Sequence, residues 1–130
     1  MKASDPSSID ESADYLLVLD LENDTDIQVG SLGNIHFNGG IYIYTGSARS
    51  GLWRRVKRHL GRPEKKRWHI DHLTSISIKK TVWWRAHREA GECLAAKLLG
   101  KEFSSIIGFG CSDCRCGAHL FYIGDDTSFL

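Results

Sequence analysis

From Tyr15 to Leu21 nearly every position is apolar (Tyr-Leu-Leu-Val-Leu-Asp-Leu), the pattern of a buried central strand. The polar run Glu22–Asp26 then reads as a turn. Ile27-Gln-Val29 and Ile35-His-Phe37 alternate apolar and polar around Gly-Ser-Leu-Gly-Asn, which predicts a β-hairpin. After a turn at Asn38-Gly-Gly40 comes a strand over 41–45, with Tyr42 and Tyr44 on one face because the strand period is two. Gly46 to Gly51 interrupts it, and the period changes. Leu52, Val56 and Leu60 recur every four residues, so 51–60 is an amphipathic helix closed by Gly61-Arg-Pro63. A second helix is predicted over Trp68–Thr74 and a β-branched, aromatic strand over Ile76–Ala86. A third helix covers Glu89–Leu99, with Gly100 as its stop, and a last strand covers His119–Ile123. Residues 1–13 are polar and predicted to fray; 14–130 form one domain. Strands and helices are interspersed, so the fold class is α/β with a small, mostly antiparallel sheet.

Composition changes this picture little. A 42% hydrophobic and 25% charged share is that of an ordinary globular domain. No stretch reaches the ~20 apolar residues of a membrane span, and the first residues lack the apolar core of a secretory signal. The expectation is a cytoplasmic protein with no membrane partner.

Charge changes it more. The net charge of +1 hides an acidic start and a basic middle. Between residues 49 and 72 lie Arg49, Arg54, Arg55, Lys57, Arg58, Arg62, Lys65, Lys66 and Arg67, against only Glu64 and Asp71. Such a block is either a solvated helix face or a surface for phosphate, and so for nucleic acid.

Cys111, Cys114, Cys116 and His119 fall within nine residues, as Cys-Ser-Asp-Cys-Arg-Cys-Gly-Ala-His. Thiolates and imidazole are zinc ligands, although four tetrahedral ligands from one short loop is a tighter spacing than usual. The plain alternative is a Gly-rich loop whose thiols pack beneath the sheet.

Tyr44-Thr-Gly46, a short loop and a basic helix resemble the GIY-YIG nuclease superfamily. Arg55 and His59 lie four residues apart on that helix, and Glu92 sits on a later one. The literal Gly40-Ile-Tyr42 shares a strand with Tyr44, so the first half-motif is better matched by Tyr15, where Asp14 or Ala13 replaces the family glycine. Val29-Gly-Ser-Leu-Gly33, Tyr44-Thr-Gly-Ser-Ala48, Trp68-His-Ile-Asp71 and Ser112-Asp-Cys-Arg-Cys-Gly-Ala-His-Leu-Phe-Tyr122 resemble a mostly archaeal branch of that superfamily. The resemblance implies a small antiparallel sheet flanked by about three helices, with residues 27–37 as an inserted hairpin. It also implies metal-dependent hydrolysis of DNA phosphodiesters, with a role in repair or in processing structured DNA.

On that resemblance Glu92 holds Mg²⁺ or Mn²⁺; otherwise it is a helix acid paired with Arg88. Arg55 clamps the scissile phosphate through planar, bidentate donors, with Arg54 as the alternate register. Tyr15 or Tyr44 is the general base or orients the water. His59 is a second base, a phosphate donor, or a histidine on the helix surface. Arg49, Arg54, Lys57 and Arg58 bind substrate. His69 and His72 share a helix face at i, i+3, which is compatible with a metal or phosphate contact, but the favoured reading of Trp68-His-Ile-Asp71 is a helix cap or structural hydrogen bond. Two other functions compete: a nucleic-acid-binding module with a weak or lost active site, and a small zinc protein built on the Cys-rich loop.

Overall fold

The computed structural model describes residues 13–48, 52–63, 65–86, 91–110 and 117–124, without the side chains of residues 79, 85, 86, 91 and 92. Its order is β1 (Ala13–Leu21), β2 (Thr25–Gln28), β3 (Asn34–Phe37), β4 (Gly40–Ala48), α1 (Leu52–Leu60), α2 (Asp71–Thr74), β5 (Lys79–Ala86), α3 (Gly91–Glu102), β6 (Ser104–Ser105) and β7 (Leu120–Gly124). Five strands form one sheet in the order β5-β1-β4-β7-β6, and every pairing in it is antiparallel. β2 and β3 form a separate two-stranded sheet, the predicted hairpin. The fold is therefore α/β with a mostly antiparallel sheet and three helices, as the sequence pattern indicated. Among the described residues no helix is long and apolar enough to cross a membrane.

β1 pairs on both sides, which explains its nearly continuous apolar run. One sheet face carries Tyr15, Leu17, Leu19, Tyr42, Val82 and Leu120, and packs against Leu52 and Val56 of α1, Leu73 of α2, and Phe37 and Phe109. The other face carries Val18, Ile41 and Ile43 and packs against Leu99 of α3. Trp84 joins the first layer and Trp83 the second, as alternation along a strand requires. Leu17 is wholly buried, and burial of such a side chain contributes about 1.5–3 kcal/mol.

Most element ends shift by a residue or two from the sequence reading; four departures are larger or more telling, and one short strand is additional. Gly46 does not interrupt β4, which runs on to Ala48. The second helix is only Asp71–Thr74, because residues 68–70 form a turn. β5 starts at Lys79 and not Ile76: the amides of Ile76 and Ser77 still bond to the Leu73 carbonyl, leaving Ile76 and Ile78 exposed. Gly100 does not stop α3, which continues to Glu102: its φ stays out of the left-handed region, and a Cβ there would make only ordinary contact with Phe121 at 3.6 Å. The two-residue strand β6, exposed throughout, carries no periodicity to read.

Candidate active site

α1 turns its first and fifth residues, Leu52 and Val56, into the core. At 3.6 residues per turn the next inward position falls on either His59 or Leu60. His59 takes it, with 1% of its surface exposed, while Leu60 is 43% exposed. The reading of His59 as a surface histidine is thereby corrected. Gly61 closes the helix by donating its amide to the carbonyls of Lys57 and Arg58.

The buried imidazole meets β1. Nε2 of His59 lies 2.7 Å from the Tyr15 hydroxyl, and Tyr15 is equally buried. The reach depends on β4. Gly46 lies opposite Tyr15 in the register, and a Cβ on it would stand 2.5 Å from the Tyr15 Cζ. The Tyr-x-Gly motif is thus a steric gap through which the tyrosine of one strand crosses its neighbour to the helix. Tyr44, two residues earlier on β4, is half-buried and packs edge-on to both His59 and Phe109.

Among the described residues His59 Nδ1 is buried with no hydrogen-bond partner. An orphaned N–H is the more costly vacancy, so the favoured tautomer leaves Nδ1 bare and puts the proton on Nε2, donating to Tyr15. Burial pushes the imidazole pKa down to about 3; Arg55, Arg58 and Lys80 push the same way and Asp71 only partly opposes them. His59 is therefore neutral at any ordinary pH. It is too weak a base to hold a catalytic proton and acts on the hydroxyl beside it.

Arg55 donates from Nη1 to the Ser47 carbonyl at 3.1 Å and stacks on Trp68, with Cζ 4.7 Å from the ring centroid. Carbonyl and ring together fix the plane of the guanidinium. Arg58 covers the same ring at 5.2 Å. Its donors go elsewhere: Nε and Nη2 reach the two Asp71 carboxylate oxygens at 3.3 and 2.8 Å, and Nη2 also reaches the Lys65 carbonyl. Arg58 is thus a structural cation, whereas Arg54 and Lys57 stand exposed on α1. Arg49 lies outside the described residues.

Asp71 is wholly buried and also accepts the amides of Arg67 and Trp68. Burial alone would raise its pKa, but the Arg58 guanidinium and the two amides outweigh it and hold the carboxyl below the usual range. The aspartate of Trp68-His-Ile-Asp71 ties the turn to α1, the structural hydrogen bond expected of that segment. The i, i+3 spacing paired His69 with His72, whereas the structure sets His69 against Gly110 and Phe109. Its Nδ1 accepts the Gly110 amide at 2.9 Å, and its ring packs on Phe109. Gly110 has φ +76°, and a Cβ on it would lie 3.1 Å from the Tyr44 ring. The glycines flanking Phe109 were the available signal for this close approach.

The remaining candidates do not join the cluster. α3, which carries Glu92, packs on the opposite sheet face, and the Glu92 side chain lies outside the described residues. So do Cys111, Cys114 and Cys116. His119 is buried in the sheet with Nδ1 2.7 Å from the Thr45 hydroxyl. Among the described residues there is no group of three or more His, Cys, Asp or Glu that could hold a metal ion. Asp71, the carboxylate beside the cluster, is filled by Arg58 and two amides. The described residues alone therefore do not fit a hard cation such as Mg²⁺.

No curated protein and no solved structure matches the chain. The family model described as Domain of unknown function DUF123 matches residues 14–130, and the chain belongs to that family.

Proposed function

We propose that this protein is a GIY-YIG-type endonuclease that hydrolyses phosphodiester bonds in DNA. The observation that carries this reading is the Tyr15–His59 hydrogen bond at 2.7 Å, made beside Tyr44 and an oriented Arg55. In hydrolysis a water oxygen bonds to phosphorus, the water gives up a proton, and the opposite P–O bond breaks. A phenol titrates near ~10, and an N–H aimed at its oxygen favours the phenolate, the form that takes a proton. Tyr15 is the group for that task, with His59 as the N–H donor. Arg55 faces the negative charge growing on the phosphoryl oxygens. The resemblance gives Mg²⁺ or Mn²⁺ to Glu92, but α3 packs on the opposite sheet face, so no step here runs through that metal, and a Glu92 variant decides whether it takes part. Arg54 and Lys57 contribute long-range attraction to the backbone.

One observation favours a second reading. Tyr15 and His59 are each only 1% exposed, so the folded protein gives water little access to the pair. A module that binds nucleic acid and has lost cleavage would keep the same basic helix. The two are separated by incubating wild type and Glu92→Gln with labelled single-stranded, duplex, flap and junction DNA, and with RNA, in Mg²⁺, Mn²⁺ or EDTA. The nuclease reading expects cleavage that needs both metal and Glu92. Binding without cleavage by either protein overturns it in favour of the module.

A further inference from the structure

The segment Trp68-His-Ile-Asp71 has more chemistry than its structural bonds consume. Asp71 is spent on Arg58 and two backbone amides, and Trp68 on the two guanidinium groups. His69 uses one ring nitrogen only. Nδ1 accepts the Gly110 amide, which makes it an acceptor and therefore unprotonated. In the neutral ring the proton must then sit on Nε2. Burial and the neighbouring His72 both lower the His69 pKa, so the neutral form prevails at physiological pH. Nε2 has no hydrogen-bond partner among the described residues, and the side chain is partly exposed. The backbone fixes its place. Gly110, the residue that locks His69, lies against the Tyr44 ring, and Phe109 is shared between the Tyr44 and His69 rings. A neutral N–H donor thus sits next to Gly110 and Phe109, both of which touch Tyr44, and directly follows Trp68, the ring on which Arg55 stacks.

We propose that His69 is a substrate-contacting residue whose Nε2–H donates to a non-bridging oxygen of the phosphodiester held by Arg55. This rests on the phosphodiester reading given above. A neutral donor adds a directed hydrogen bond where Arg55 already supplies charge. It leaves Tyr15 as the proton acceptor.

The test uses the whole chain and a phosphorothioate-substituted flap DNA in EDTA. Imidazole ¹⁵N spectra of the free protein should show His69 protonated on Nε2. Addition of the probe should shift that signal, while His36, paired with Asp26 on the separate hairpin, stays fixed. In parallel, His69→Asn keeps an acceptor for Gly110 but has no donor at the Nε2 position. It should lose about 10²-fold in cleavage with Tm retained. His69→Gln, which restores a donor near that position, should recover part of the loss. An Nε2 signal unmoved at saturating probe, or His69→Asn cutting at the wild-type rate, overturns the proposal. A shifted His69 signal with no cleavage in any metal keeps the contact and removes the nuclease reading. Cleavage with a silent His69 does the reverse, and silence in both removes both.

Discussion

His59 shows how one position on a helix decides the chemistry around it. Its inward place follows from the helical period, and its neutrality from burial. That neutrality has a consequence for stability. The folded state holds the pKa at about 3, below the ordinary histidine value of 6.5. The unfolded chain binds the proton first, so the contribution is complete above pH 6.5 and is lost as pH falls through that window. Denaturant titrations should find wild type losing up to ~1.4 kcal/mol per pH unit between pH 6 and 4 from this group. His59→Gln should show a flatter profile there, and an unchanged slope would contradict a neutral buried imidazole. Gly46 is the second such position. Gly46→Ala places a methyl inside the Tyr15 ring contact, and overpacking of this kind costs about 1–3 kcal/mol. In the double variant Tyr15→Ala, Gly46→Ala, thermal melts should show a loss smaller than the sum of the single effects.

Between α1 and α2 the fold relies on one carboxylate. Asp71 joins Arg58 of the helix to the amides of Arg67 and Trp68, and so holds the indole on which Arg55 stacks. Asp71→Ala should cost about 3 kcal/mol by chemical denaturation, at the low end for a broken buried pair because Arg58 keeps some contact with water. Unchanged stability would mean that the turn is held by its apolar contacts alone. This clasp also marks how far the sequence was legible. Strands with strong alternation or continuous apolar character, β1 to β4 and β7, stand where their patterns put them, within a few residues. α1 follows from its four-residue spacing, but spacing could not choose between His59 and Leu60 because both satisfy it. The fates of Arg55 and Arg58 differ only through tertiary partners, Ser47 and Trp68 for one and Asp71 for the other. No local pattern carries that difference. Tyr15, Tyr44, Arg55 and His59 were legible as a set through a resemblance; His69 and Gly110 were not, since they meet only across 41 residues of chain.

Across the protein, the basic block divides into free and committed charge. Arg54 and Lys57 are exposed, whereas Arg58 is locked in an ion pair. Arg54→Ala and Lys57→Ala should each lower the salt dependence of DNA binding by about one unit of slope without altering Tm. Arg58→Ala should lower Tm instead. Equal effects from all three would place Arg58 on the binding surface. The hydroxyl of Tyr15 is the atom on which the proposed activity turns, and Tyr15→Phe removes it while the ring still fills the gap over Gly46. The most direct measurement is single-turnover cleavage of labelled flap and duplex DNA by this variant and by wild type, in Mg²⁺, with circular dichroism confirming the fold. Wild type should cut and Tyr15→Phe should be slower by about 10²-fold or more. Cleavage by Tyr15→Phe at the wild-type rate would contradict the assignment of Tyr15 as the proton acceptor.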